Sequence, residues 1–151
     1  AQAADGAPLS APTGSARRRA REVAFRLAYQ ADVMAEGFDA DWSARCAEEH
    51  LGPDQSELVG DVLGVLSRRA VEVDEFIQSA ARHWELDRLA ATDRSVLRIA
   101  TAELLGRPGT PARVILDEAI EIARRFGSEE SARFVNGVLD QVARSLRPGE
   151  V

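Results

Sequence analysis

Apolar residues recur three and four positions apart along nearly the whole chain, without sustained alternation of period two, so the spacing predicts helices and no sheet. Ala20, Val23, Ala24, Leu27, Ala31 and Met34 form one stripe and predict a first helix over about 17–35. "EGFDAD" interrupts it. Asp41 is placed to cap a short second helix through Trp42 and Cys46 to about His50, and "LGPD" is a turn that offers Asp54 as the next cap. A long helix follows on Leu58, Val62, Val65 and Leu66, continuing through Val73, Phe76 and Ile77 to Trp84, with any bend falling near Val73. Thr92 or Asp93 can cap "RSVLRIATAELL", which buries Leu97, Ala100, Leu104 and Leu105 and stops at Gly106. "PARVILDEAIEIARRFG" has Pro in its opening turn and Gly127 just past its end. Ser128 caps the last helix, whose stripe is Ala132, Val135, Leu139, Val142 and Leu146. These patterns predict an all-α domain of about seven helices joined by short loops.

Composition narrows the class. A chain of 151 residues with 45% apolar and 29% charged content fits one globular domain that buries roughly 70% of its unfolded surface. No apolar run approaches the ~18 residues of a membrane span. The start, "AQAADGAPLSAPTG", lacks the basic and apolar segments of a secretory signal. Residues 1–15 are expected to be a disordered leader, 16–147 the helical domain and 148–151 a disordered tail. Cys46, the single cysteine, excludes an intrachain disulfide and fits a cytoplasmic setting. All 19 basic residues are Arg, which a bias towards Arg and Ala explains as readily as phosphate recognition does.

Charge is distributed unevenly. The chain carries −6 overall, yet residues 16–35 hold five arginines against Glu22 and Asp32, a net +3. Residues 36–75 hold eleven acids against three arginines, a net −8. Arg17, Arg18, Arg19 and Arg21 fall at the expected start of the first helix, where the macrodipole disfavours cations. Such a cluster can grip nucleic-acid phosphates; the alternative is a solvated helix end. Tyr29, further along and off the stripe, can stack on an unpaired base or sit half-buried in the core.

"RFVNGVLD" places Gly137 inside a periodic helix, where Gly costs about 1 kcal/mol relative to Ala, so close helix packing is expected there. Phe134 is displaced from the stripe and is a candidate contact residue. Cys46 and His50 have the i, i+4 spacing of a thiol–imidazole pair or half a zinc site, but such a site needs about four ligands and His83 stands apart. Asp117, Glu118 and Glu121 lack the histidine partners of a di-iron bundle and read as solvated or capping charges. No Gly-rich phosphate loop occurs. Nothing here has the arrangement of an active site, so no catalytic residue, metal or cofactor is expected.

Taken together, "ARRRARE", "LAYQ", "LDRLAATDRSVLRIATAELL", "TPARVILDEAIEIARRFGSEES" and "RFVNGVLDQVA" resemble the NusB family of bacterial transcription antitermination factors, over about Ala16 to Ala143. The resemblance implies an all-helical fold of two packed three-helix bundles and a role in binding, not catalysis, so that the protein is not an enzyme. It also implies that the protein pairs with NusE, a protein of the small ribosomal subunit, and holds boxA RNA in the RNA polymerase antitermination complex, promoting read-through of ribosomal RNA operons. By position it assigns Arg17, Arg18, Arg19, Arg21, Tyr29 and Phe134 to RNA, and Asp93 and Glu130 to the surfaces near RNA and NusE. Asp117 and Arg124 stand where relatives often carry Asn and Lys. Some NusB-like proteins are homodimers that occlude the RNA surface, so a homodimer is a further expectation to weigh. Two alternatives remain: the NusB-like RNA-binding domain of an rRNA cytosine methyltransferase, and a helical protein-interaction scaffold without RNA binding.

Overall fold

The computed structural model describes residues 13–38 and 41–151. Seven helices occupy them: α1 (Thr13–Val33), α2 (Trp42–Glu48), α3 (Pro53–Arg68), α4 (Ala70–Ala80), α5 (Ala91–Gly106), α6 (Ala112–Phe126) and α7 (Glu129–Leu146). A short 3₁₀ turn, Leu86–Arg88, lies between α4 and α5. Helices α1–α3 form one bundle and α5–α7 the other. Helix α5 packs against α1 and α3 on one side and against α4, α6 and α7 on the other, so a single core runs through both bundles. Its central position follows from its sequence: every residue from Ser95 to Leu104 except Arg98 is buried, which one apolar stripe alone would not require.

Several boundaries follow local chemistry. The Asp41 carboxylate accepts from the Ala44 N–H at 3.3 Å and starts α2, and Ser128 Oγ accepts from the Ser131 N–H at 3.0 Å and starts α7. Helix α3 starts two residues earlier than Asp54 as its cap would place it: Gly52 is the cap before Pro53, and Gln55 Oε1 accepts from the Gly52 N–H at 2.6 Å. Neither Thr92 nor Asp93 caps α5, which begins after Ala90. The expected long helix breaks at Arg69, before Val73, and ends at Ala80, so Trp84 lies beyond it.

Three further expectations change. Met34 lies past the end of α1 and is exposed, while Phe25 and Ala28 join its buried face. Gly137 is exposed, and a Cβ there would meet nothing within 4 Å, so no helix packs against it. Close approach occurs instead at Gly106, where a Cβ would lie 2.9 Å from Val65 of α3, and at Gly60, 2.6 Å from the Trp42 ring. Of the expected leader, residues 1–12 lie outside the described residues, and α1 already begins at Thr13. The expected disordered tail is tied down: Glu150 Oε1 accepts from the Ala112 N–H at 2.5 Å, and Val151 packs against the core.

Candidate nucleic-acid interface

Because α1 begins at Thr13, the arginines occupy its second and third turns, beyond the first turn where the dipole acts most strongly. Their placement therefore costs the helix less than a start at residue 17 would imply. The periodicity of α1 then sorts them. Arg17, Arg18 and Arg19 are exposed, whereas Arg21 lies on the buried face with Ala24 and Ala28.

Arg21 is 4% exposed and forms a forked ion pair with Glu103 of α5, at 2.9 and 2.6 Å. It is sealed inside and cannot reach a phosphate, so its expected RNA contact is corrected to a structural role. Arg18 donates to both carboxylate oxygens of Glu118 on α6, at 2.8 and 3.0 Å, and stays accessible on its outer side. The guanidinium holds the Glu118 carboxyl below its ordinary range. Arg19 donates to the Glu49 carbonyl at 2.7 Å. Arg17 makes no ion pair among the described residues.

Two clefts adjoin these side chains. The first, of about 430 Å³, is lined by Arg18, Arg19, Arg26 and Arg125, with Glu22 and Glu49 as its only carboxylates. Arg26 and Arg125 both lie over the Phe126 ring, their guanidinium carbons 5.9 and 5.2 Å from its centroid. Arg125 also donates to Glu22 at 2.5 Å. The second cleft, of about 480 Å³, lies next along α1 and is lined by Phe25, Arg26, Tyr29, Gln30, Arg45, Thr92 and Phe126. Tyr29 is 39% exposed, and its ring is 6.0 Å from Phe25, which is in turn 5.0 Å from Phe126. One side of the tyrosine is thus packed and the other is open, which meets both alternatives its spacing allowed. Sequence reasoning missed Arg26, Arg45 and Arg125 as neighbours of this surface, because they converge from three helices.

A third, aromatic groove lies between the α4–α5 connection and α7. Trp84, Arg88, Leu89, Asp93, Glu130 and Phe134 line it. Trp84 is 57% exposed and meets Phe134 edge-on, with centroids 5.6 Å apart at 76°. Phe134 is thereby brought together with Asp93 and Glu130, whereas Tyr29 belongs to the cationic side. Asp93 Oδ1 is buried without a hydrogen-bond partner. The groove wall is fixed by Arg94, which donates to the Leu86 and Leu89 carbonyls at 3.0 and 2.8 Å and to Asp32 at 2.7 Å. Those guanidinium hydrogen bonds hold the Asp32 carboxyl below its ordinary range. Trp84 and Arg94 were not singled out from the sequence; an Arg94–Arg98 pair spaced i, i+4 on a buried helix was the available signal for an internal ion network.

The Cys46–His50 pairing does not survive, since α2 ends at Glu48 and His50 adopts a positive φ of 57° beyond it. Cys46 is buried, and burial pushes its thiol up. Among the described residues no group of three or more His, Cys, Asp or Glu could hold a metal ion. Asp117 lies 3.8 Å from Arg113, and Glu121 pairs with Arg124, so the α6 carboxylates serve surface ion pairs. Among the described residues no helix is long and apolar enough to cross a membrane.

An all-helical body with a cationic, partly aromatic face and a separate acidic and aromatic groove defines a class of binding protein. The NusB family model matches residues 18–144. The chain is 46% identical over 138 residues to the transcription antitermination protein NusB of Anaeromyxobacter dehalogenans, covering 89% of this chain and 94% of that one. It is 40% identical over 142 residues to the protein of that name from Koribacter versatilis, covering 91% and 94%. Among solved structures, T. maritima NusB superposes with a TM-score of 0.77 at 36% identity, over 89% of this chain and 94% of that one. A NusB crystallised with NusE and double-stranded RNA shares the fold, with a TM-score of 0.76 at 24% identity over 87% and 98%. The chain belongs to the NusB family.

Proposed function

We propose that this protein is a transcription antitermination factor that binds boxA-type RNA together with NusE. The observation that carries the reading is near full-length similarity to antitermination proteins named NusB, at up to 46% identity. The exposed arginines of α1 and the open side of Tyr29 suit it physically: guanidiniums hold phosphates and position a strand, while an aromatic ring stacks on a splayed base. Arg17, Arg18, Arg19 and Tyr29 contact RNA. Phe134 also contacts RNA, at the groove where Asp93 and Glu130 meet the basic partner, so RNA and NusE adjoin there. The protein works by binding, without catalysis or a cofactor, in the cytoplasm.

The test is a titration of labelled boxA RNA with and without NusE, at two salt concentrations. Binding should tighten with NusE and weaken as salt rises, and R17A/R18A/R19A should lower affinity and flatten the salt dependence. Wild-type protein that fails to bind the RNA in either condition overturns the reading.

A further inference from the structure

The two clefts along α1 share Arg26, and the Phe126 ring of the second lies beneath the guanidiniums of Arg26 and Arg125 from the first. Arg18 stands at the start of the pair and Tyr29 at its end, eleven residues and about 16 Å apart along the helix axis. Between them Arg125 reaches in from the end of α6. Four guanidiniums face two carboxylates in the first cleft. Of those carboxylates, Glu22 is taken up by Arg125, and Glu49 stands at a loose 3.9 Å from Arg26. Both Arg26 and Arg125 are exposed, yet their stacking on one ring limits their freedom before any ligand arrives. Exposed arginines held in place beside an open aromatic cleft are what a strand of phosphates and bases requires.

We propose that Arg26 and Arg125 continue the phosphate contacts of Arg18 and Arg19 and lead a single RNA strand into the Tyr29 cleft, where one base stacks on the open side of Tyr29. This assignment rests on the RNA-binding reading above and adds two cations from outside the α1 arginine cluster. The strand follows α1 from its second turn towards α2, where Arg45 lines the far side of the cleft.

The test compares wild type, R26A/R125A, R26K/R125K and R113A/R144A in titrations of labelled single-stranded boxA-type RNA with NusE across a salt series. Arg113 and Arg144 are exposed and line neither cleft, so they report on general charge. R26A/R125A should weaken binding roughly tenfold at low salt and make the log–log salt slope shallower by ~1.4, the loss of two single-strand phosphate contacts. R26K/R125K should keep the wild-type slope, because it keeps the charge, while losing part of the affinity with the ring stacking. R113A/R144A should change neither. Unchanged affinity and slope in R26A/R125A overturns this inference and leaves the RNA-binding reading standing. Equal losses in R113A/R144A also overturn it, since the effect is then one of net charge. If wild-type protein binds no RNA, both readings fall. R26A/R125A takes the Arg125 partner from nearly buried Glu22 and should melt somewhat lower, so every titration is run where circular dichroism shows each variant fully folded, and a folded R26A/R125A that binds like wild type overturns the inference.

Discussion

The cationic face of α1 and α6 and the aromatic groove between α5 and α7 differ in chemistry although Thr92 lines one and Asp93 the other. On the first, arginines outnumber carboxylates and lie over ring faces. On the second, Arg88 is the one cation, Asp93 and Glu130 are its carboxylates, and an indole stands open to solvent. At physiological salt, charges are screened beyond about 8 Å, so a polyanion responds to the local face and not to the net −6 of the chain. An acidic protein can therefore present one surface fit for phosphates and another fit for a basic polypeptide. The turn between them is held by Arg94, whose ties to Asp32 connect the end of α1 to the groove wall.

The sharpest way to break this division is at Arg21, the arginine that belongs to neither surface. Replacing it by Ala leaves Glu103 buried without its partner, which costs about 3–5 kcal/mol and should lower the melting temperature severely. A double variant, R21M/E103L, removes both charges and should recover most of that stability. If Arg21 only supports the fold, R21M/E103L binds RNA like wild type in the same titrations. A folded R21M/E103L with strongly reduced affinity would return Arg21 to the binding surface. R21A melting like wild type would contradict the buried pair itself.

Next in size is Phe134. Truncation to Ala removes its edge contact with Trp84 and any base stacked there, and should cost about 1–3 kcal/mol in RNA affinity when NusE is present. D93N/E130Q in the same groove should instead weaken NusE pairing, with the difference shrinking as salt rises. If F134A affects NusE pairing alone, the groove belongs to the protein partner and the cationic face alone serves the RNA.

Much of the fold was legible because its punctuation is local. Ser128, Gly127 and Asp41 mark helix ends through bonds to neighbours three or four residues away. The break at Arg69 was not legible, since apolar spacing continues across it from Leu66 to Val73 and no Gly or Pro marks it. The site divided along the same line. Arg17, Arg18 and Arg19 stand together in sequence and on the surface. The burial of Arg21 depends on Glu103, 82 positions away, and the meeting of Arg26 with Arg125 depends on the packing of α1 against α6. One cue lay in the sequence: Arg21, Ala24 and Ala28 fall at i, i+3 and i+7, which places the arginine on the apolar stripe.

Acid should loosen the connection between the two regions. Asp32 has a folded pKa lowered by its bonds to Arg94, so the pairing stabilises the fold fully above the unfolded carboxylate value of about 3.9. That contribution is lost as pH falls through the lower folded value. Thermal melts from pH 6 to pH 2 should show wild type converging on D32N below about pH 4, with a constant gap above about pH 5. A gap that persists unchanged to pH 2 would rule out an ionic link.

The smallest expected effect concerns Gly137, three residues beyond Phe134 on α7. Its outward position is open, so an added methyl meets no neighbour and G137A should raise stability by up to about 1 kcal/mol through helix propensity alone. That gain separates two reasons for a glycine in the middle of a helix. If the bare backbone is a packing requirement within the chain, G137A destabilises. If it leaves room for something that docks on the outer side of α7, G137A melts higher yet associates less tightly with NusE or RNA. The open space around the position favours the second outcome, and a stabilised G137A with undiminished binding of both would confine the working groove to Trp84, Asp93, Glu130 and Phe134.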